Sequence, residues 1–404
     1  MRRKLLCTVI LLCLGVWLLS ACGKDDSESS TDSSPESASG KDSESAGEKS
    51  SESGATESSQ AESSSSAESS AQASDTGLWA DYQLDFTKNL SNPNASDKAN
   101  AVYNWLCSIK GKYIISGLQE KCADADNAEF TYIRNLCGEL PGLRGLDFIS
   151  GDYEGVVRRS KTWDKYGSLI SICWHMGVPG EPDAGYNSSK KNYPGLKEAL
   201  DNPESDAYKQ LVSDIDKAAP YLKELKDAGV VVLWRPFHEF DGGWFWWGMS
   251  GGETFVKLWQ LMYDRYTNVY GLDNLIWVLG YSHSKTGDQS WYPGDEYVDI
   301  IAADIYNPAN YALKGYYTLY SRLANAFPDT KKPFTLHECG KIPEVSGLKE
   351  YGAEWLWYLV WHSDFLKNSD YNTDAEITAS FTDDYVLTLS EMPDFNALLE
   401  KAGK

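Results

Sequence analysis

Two histidine-glutamate pairs carry the pattern from which chemistry could come. One closes Val230-Val231-Val232-Leu233-Trp234-Arg235-Pro236-Phe237-His238-Glu239, the other Pro333-Phe334-Thr335-Leu336-His337-Glu338. Each begins as an apolar run that reads as a strand buried on both faces. Pro236 lacks a backbone donor and marks where the first run leaves its ladder. An ion pair or a helix cap explains one such glutamate; two strand-end His-Glu pairs together point to a pair of working carboxylates. After Glu239 come a turn-forming Asp241-Gly242-Gly243 and then Trp244, Trp246 and Trp247, flat apolar faces of the kind that stack on a sugar ring. Two carboxylates beside such faces suit cleavage of a glycosidic bond. A gap of about 5–5.5 Å between them gives a nucleophile and an acid/base, and a wider gap admits a water and inverts; spacing along the chain leaves that choice open. Arg235 is placed to hold a carboxylate bidentately and keep it ionised. Trp246 and Trp247 are adjacent and in extended chain point opposite ways, so at least one is expected to pack.

The elements that must position these groups recur eight times. Short apolar runs at 112–117, 143–148, 168–175, 230–236, 275–280, 298–306, 333–338 and 355–361 alternate with helical stretches. Among the latter, Tyr208 to Ala228 reads as one amphipathic helix with Ala228-Gly229 as its stop. The run at 355–361 could be helical on composition alone and is read as the eighth strand. Alternation of near-continuous apolar strands with helices predicts a parallel sheet covered by helices. Eight units favour an α/β fold of the (β/α)₈ TIM-barrel class, with chemistry at the C-terminal ends of the strands. His175, His238-Glu239, Tyr306, His337-Glu338 and Trp361 fall there. No glycine-rich phosphate loop follows the first strand, which argues against a nucleotide-binding open sheet.

The chain divides by composition into residues 1–22, 23–76 and 77–404. Met1–Cys22 has Arg2, Arg3 and Lys4 before the apolar run Leu5–Leu19 and ends Leu19-Ser20-Ala21-Cys22. This resembles a bacterial lipoprotein signal with Cys22 as the lipidated residue; an uncleaved anchor is the alternative, for which the apolar run is short. From Lys24 to Asp75 there is no Val, Ile, Leu, Met, Phe, Tyr or Trp, and 13 Asp/Glu stand against 3 Lys. Such a segment cannot offset its ordering entropy by burial and is expected to form a disordered, acidic, extended tether. A formal net charge of −22 argues against nucleic acid or anionic lipid as partner. Five cysteines follow Cys22, namely Cys107, Cys122, Cys137, Cys173 and Cys339. An odd number leaves at least one free or paired outside the chain, and no Cys-x-x-Cys spacing suggests a structural zinc site.

The stretch Trp234-Arg235-Pro236-Phe237-His238-Glu239-Phe240-Asp241-Gly242-Gly243-Trp244-Phe245-Trp246-Trp247-Gly248 resembles the signature of glycoside hydrolase family 26, mostly β-mannanases. The resemblance extends through most of 77–404 and does not touch the tether. It implies a clan A (β/α)₈ hydrolase working with retention and with no metal or organic cofactor. Glu239 would be the acid/base and Glu338, in Thr335-Leu336-His337-Glu338-Cys339-Gly340, the nucleophile. His238 would hydrogen-bond near the active centre and Tyr306 would orient the nucleophile. His175 and Trp361 would line the subsite of the sugar to be cleaved, with Trp244 the aromatic of the signature that reaches it. Asp147 and Gln119 match weaker binding positions. The chain departs at Phe240-Asp241, where mannanases often have Met-Asn.

The expectation is therefore a surface-tethered, monomeric, extracellular endo-β-1,4-mannanase held to the membrane only through a lipid on Cys22. A β-1,3-xylan or a mixed-linkage β-glucan is the competing substrate. A transporter's oligosaccharide-binding lipoprotein is the alternative from another class, but it has no need of two strand-end glutamates.

Overall fold

The structure, a computed structural model, describes residues 77–121, 128–306 and 311–404. The signal segment with Cys22, the acidic tether and Cys122 lie outside these residues. Eight strands run β1 Ile114–Gln119, β2 Leu143–Asp147, β3 Leu169–Trp174, β4 Val232–Pro236, β5 Leu275–Ser282, β6 Ile300–Ile305, β7 Phe334–Cys339 and β8 Trp357–Val360. Each pairs in parallel with the next, and β8 and β2 both pair with β1, so the sheet closes into a barrel. All eight are buried along their full length, which is why they read as continuous apolar runs rather than alternating ones. A two-residue β9, Val386–Leu387, lies parallel to the start of β1.

Alternate strand positions face two different cores. Ile115, Leu143, Leu169, Leu233, Ile276, Val278, Ile300, Ala302, Trp357 and Leu359 share one cluster with residues of the helices Asp97–Ile109 and Phe395–Lys401. Ile114, Leu146, Ile170, Ile172, Val232, Trp234, Leu279, Ile301, Ala303 and Leu336 pack outward with the surrounding helices. The period of two carries inward-facing Leu233 to inward-facing Arg235.

The expected helix over 208–228 is two helices, Asp206–Asp216 and Ala219–Asp227. Pro220 is the cause: it has no N–H and its ring clashes with a helical carbonyl four residues earlier, at Asp216. The run at 355–361 is a strand, as read. Cys107, Cys137, Cys173 and Cys339 form no disulfide among the described residues. Among those residues, too, no helix is long and apolar enough to cross a membrane.

Candidate active site

Pro236 is the last residue of β4, so Glu239 stands three residues past the strand and not on its tip. The chain there makes a tight turn in which both Phe237 and Glu239 take φ of 50°. A left-handed non-glycine residue costs about 1–3 kcal/mol, a strain that persists only where surroundings over-determine it. Here they do. Phe237 is buried among the aromatics outside the barrel, and the Glu239 amide donates to the carbonyl of Gly280 in β5 at 2.8 Å. The turn swings His238 and Glu239 over the barrel mouth.

Glu338 reaches the same mouth by another device. Consecutive residues of a regular strand face opposite ways, yet His337 and Glu338 both point inward. His337 Nε2 meets the Ser171 hydroxyl of β3 at 2.9 Å, and Glu338 meets Arg235. The β6–β7 register explains this: Ala303 pairs with Leu336 but Asp304 pairs with Glu338, so one residue of β7 is extra. A bulge of this kind re-aims the side chain that follows it.

Arg235, wholly buried, joins the parts. Its Nη1 donates to Asp304 Oδ2 at 2.8 Å and its Nη2 pairs with Glu338 Oε1. The guanidinium therefore bridges two carboxylates, where a bidentate grip on one was expected. Asp304 on β6 faces inward beside Glu338 and takes the other arm. Asp304 also accepts the backbone N–H of Glu338 at 3.1 Å. Tyr306, just past β6, donates its hydroxyl to Glu338 Oε2 at 2.5 Å. Burial and the nearby charges of Glu239 and Asp304 push the Tyr306 phenol far up, so it is a proton donor at any working pH.

One oxygen each of Glu239, Asp304 and Glu338 lies within 4.8 Å of the others. Three oxygens that close could hold a divalent cation, but Arg235 already bonds two of the three carboxylates with its fixed charge. Burial, then the Asp304 charge, raise Glu239 to about 8, while the Trp244 indole N–H, donated to Glu239 Oε2 at 2.9 Å, and Arg235 act the other way. Glu239 is the one of the two glutamates without a direct cation. Burial, helped by Arg235, pushes His238 and His337 well below the usual histidine range, so both are neutral.

The remaining expected residues form a second layer around His238. Its Nε2 lies 3.1 Å from His175 Nε2 and 3.8 Å from Glu338 Oε1. Asp147 accepts His175 Nδ1 at 2.5 Å and the backbone N–H groups of His175 and Ile149. Both its oxygens are thus engaged, and the carboxylate holds His175 in place. His175 overcomes the effect of burial on Asp147 and holds its carboxyl below the usual range. Trp361 follows β8 and sets its ring 6.1 Å from that of His175. Gln119 ends β1 fully buried beside Gly145, where any side chain would collide with its amide. Its Nε2 has no partner among the described residues, and no bond joins it to either glutamate.

The tryptophan cluster divides sharply. Trp246 and Trp247 open the short helix Trp246–Met249 and are fully buried. Their indoles donate to the carbonyls of Met176 and His238 at 2.9 and 2.8 Å, so Trp247 braces the turn bearing His238 and Glu239 and Trp246 the segment after β3. Trp244 alone remains partly exposed. Three neighbours were not anticipated: Asp304, hidden inside an apolar run; Phe245, stacked on Trp247 at 4.4 Å and 5.4 Å from His175; and Tyr186, 44% exposed, with its ring 5.3 Å from that of His175. An aromatic in the long segment after β3 was the available signal for Tyr186.

The model of glycosyl hydrolase family 26 matches residues 91–391. A mannan endo-1,4-beta-mannosidase of Thermothelomyces thermophilus is 36% identical over 321 residues, covering 76% of this chain and 63% of that protein. One of Bacillus subtilis is 31% identical over 286 residues, 65% of this chain and 76% of its own. Among solved structures, the Podospora anserina GH26-CBM35 beta-(1,4)-mannanase superimposes with a TM-score of 0.67 at 35% identity, over 76% of this chain and 69% of that one. A beta-mannanase from a symbiotic protist of the termite Reticulitermes speratus, complexed with gluco-manno-oligosaccharide, gives 0.69 at 27% identity, over 77% and 99%. The chain spans 63%, 54% and 52% of the length of three curated mannosidases that it resembles.

Proposed function

The chain belongs to glycosyl hydrolase family 26, and from that premise we propose that it is an endo-β-1,4-mannanase acting on mannan, glucomannan or galactomannan with retention of configuration. The observation that carries the reading is the approach of Glu239 and Glu338 oxygens to within 4.8 Å, close to the gap of about 5–5.5 Å that a double displacement needs and short of the roughly 6.5–9.5 Å of an inverting pair.

In this reaction Glu338 attacks the anomeric carbon while Glu239 gives its proton to the departing glycosidic oxygen. Arg235 and Tyr306 hold the attacking carboxylate in its ionised form and fix its direction. Burial and the Asp304 charge keep the proton on Glu239 until it is needed. Once Glu338 is esterified its charge is gone, Glu239 ionises more readily, and it draws the proton from the water that releases the sugar. Neutral His238, with His175 behind it, offers uncharged hydrogen bonding beside the nucleophile. Trp244, Trp361 and Tyr186 supply aromatic surface for the sugars on either side. No step calls for a metal or an organic cofactor.

A mixed-linkage β-glucan is the second reading. It rests on a 26% match over 239 residues to endoglucanase H of Acetivibrio thermocellus and on the Phe240-Asp241 departure. The test is incubation of the purified chain with galactomannan, glucomannan, β-1,3-xylan and mixed-linkage β-glucan. Reducing ends should appear from the first two, with the β-anomer formed first. Release from β-glucan alone would overturn the substrate, and an α-anomer formed first would overturn the mechanism. Lipidation of Cys22, with the barrel held outside the cell as a monomer at the end of the tether, is part of the proposal. It is supported by the Leu19-Ser20-Ala21-Cys22 box and the acidic, apolar-poor spacer. Mass spectrometry of the exported protein should find acylated Cys22 as its first residue.

A further inference from the structure

Asp241 stands two residues beyond Glu239, buried in the turn that follows β4. Its Oδ1 accepts the backbone N–H of Ser282 at 2.7 Å and its Oδ2 that of Lys285 at 3.2 Å. Ser282 is the last residue of β5 and Lys285 lies in the segment after it, which folds on itself through Thr286 Oγ1 to the Ser282 carbonyl and the Asp288 amide to that of Lys285. The turn bearing Glu239 is thus bound to β5 at two places, by the Glu239 amide on Gly280 and by the Asp241 carboxylate.

We propose that Asp241 is a positioning residue of this site: its carboxylate ties the segment after β5 to the turn presenting Glu239 and sets a negative charge behind that glutamate. The inference rests on Glu239 being the acid/base.

Two backbone donors demand an acceptor on each branch of the side chain, which a carboxylate provides and an asparagine does not. With Asn at 241, one branch becomes an NH₂ aimed at a backbone N–H, donor against donor in a buried place. The charge has a consequence of its own. Glu239 faces Asp304 from β6, Glu338 from β7, Arg235 from β4, Tyr306 past β6, and Trp244 and Asp241 from its own loop. Of these, Asp304 and Asp241 act to keep the proton on Glu239, and Arg235 and Trp244 act to release it. Asp241 itself faces the Ser282 and Lys285 amides and the Tyr281 ring of β5. Burial, against those amide bonds, raises Asp241 to about 6 and Glu239 stands at about 8, so between those values Asp241 is charged while Glu239 still holds its proton.

The experiment is the pH dependence of kcat/KM on a soluble β-1,4-mannan for the full chain and for Asp241→Asn. A carboxylate beside an acid raises that acid's pKa, so its removal should move the alkaline limb down by about half to one pH unit. Amide exchange at Ser282 and Lys285 should quicken in the same variant. A purely structural role would lower stability and leave the limb in place, and that result would overturn the proposal. Carbon-13 titration of the Glu239 carboxyl gives the same answer without turnover: an unchanged midpoint in Asp241→Asn overturns it. If Asp241→Asn does not fold, titration of the chain carrying Asp304→Asn decides: with that carboxyl gone, Glu239 should still show a second small step at the midpoint of the labelled Asp241 carboxyl, and a single step would sink the idea. A wild-type chain without hydrolysis, or an alkaline limb that survives in Glu239→Gln, would instead overturn the acid/base reading.

Discussion

At the scale of single residues, the site separates two chemically identical carboxyls by what each one touches. Glu338 has a guanidinium on one oxygen and a phenol on the other, whereas Glu239 has only an indole N–H and a buried setting. Environment alone assigns one as anion and one as acid. Two predictions follow from these contacts. Tyr306→Phe removes a hydrogen bond to a charged group, worth about 1.5–3 kcal/mol, and should lower kcat roughly 10- to 100-fold with the fold intact by circular dichroism; an unchanged kcat would remove Tyr306 from the machinery. Trp244→Phe deletes a donor that favours ionised Glu239. The Glu239 pKa should rise and the alkaline limb of the pH–rate profile should move up, opposite in sign to the effect of Asp241→Asn. A limb that moves down would contradict the indole's role. That Glu239, Glu338, Arg235 and Tyr306 meet at one barrel mouth was legible from the eight-strand pattern. Asp304 was not, because a buried carboxylate inside an apolar run announces itself only through the cation it meets.

At the scale of elements, the strands were readable because a barrel buries both faces of each strand and leaves near-continuous apolar runs, of which only 355–361 read equally well as helix. Apolar periodicity over 208–228 predicts one helix, and Pro220 divides it into two without disturbing that periodicity. The two devices that aim the glutamates were illegible for a different reason. A bulge in β7 and left-handed φ at Phe237 and Glu239 leave no composition signal, since no glycine marks either place. Only the demand that both residues of each His-Glu pair face inward could have hinted at them. The short helix Trp246–Met249 holds the β4 turn from beneath, and Gly248 is where it touches. A Cβ there would lie 1.9 Å from the Phe240 carbonyl oxygen, a backbone atom one residue from Glu239. Gly248→Ala should therefore displace the acid. A misplacement near 1 Å costs about 100-fold in rate, so a loss of at least tenfold in kcat is expected, together with a lowered melting temperature. Near-normal turnover in that variant would mean that the turn is set by β5 and not by the helix.

At the scale of the whole molecule, the barrel's two ends do different work, and the far end is closed by residues that precede the family match at 91. Trp79, Tyr82, Leu84 and Phe86 are each partly buried against the inner core. Trp79 packs edge-on against Trp105 at 5.4 Å and Tyr113 at 6.0 Å, and its indole donates to the Glu391 carbonyl at 2.6 Å. Lys401 reaches back to the Ala80 carbonyl, and the Lys88 amide to Asn104. The strap thus joins both chain ends of the described structure over the helices Asp97–Ile109 and Phe395–Lys401. By contrast, Lys24 to Asp75 contains no Val, Ile, Leu, Met, Phe, Tyr or Trp. A chain beginning at Gly77 should melt with the full-length protein. One beginning at Ser91 should lose about 2–4 kcal/mol, the burial of several half-buried aromatics less the entropy regained by freeing the strap. Urea denaturation of the three chains measures this. Because the strap lies opposite the catalytic mouth, kcat/KM well below the melting range should stay within about twofold in both truncations, as a barrel that keeps stability and function at opposite ends requires. A Ser91 chain as stable as the longer two would make the strap an ornament, and one that is stable but inactive would couple the two ends.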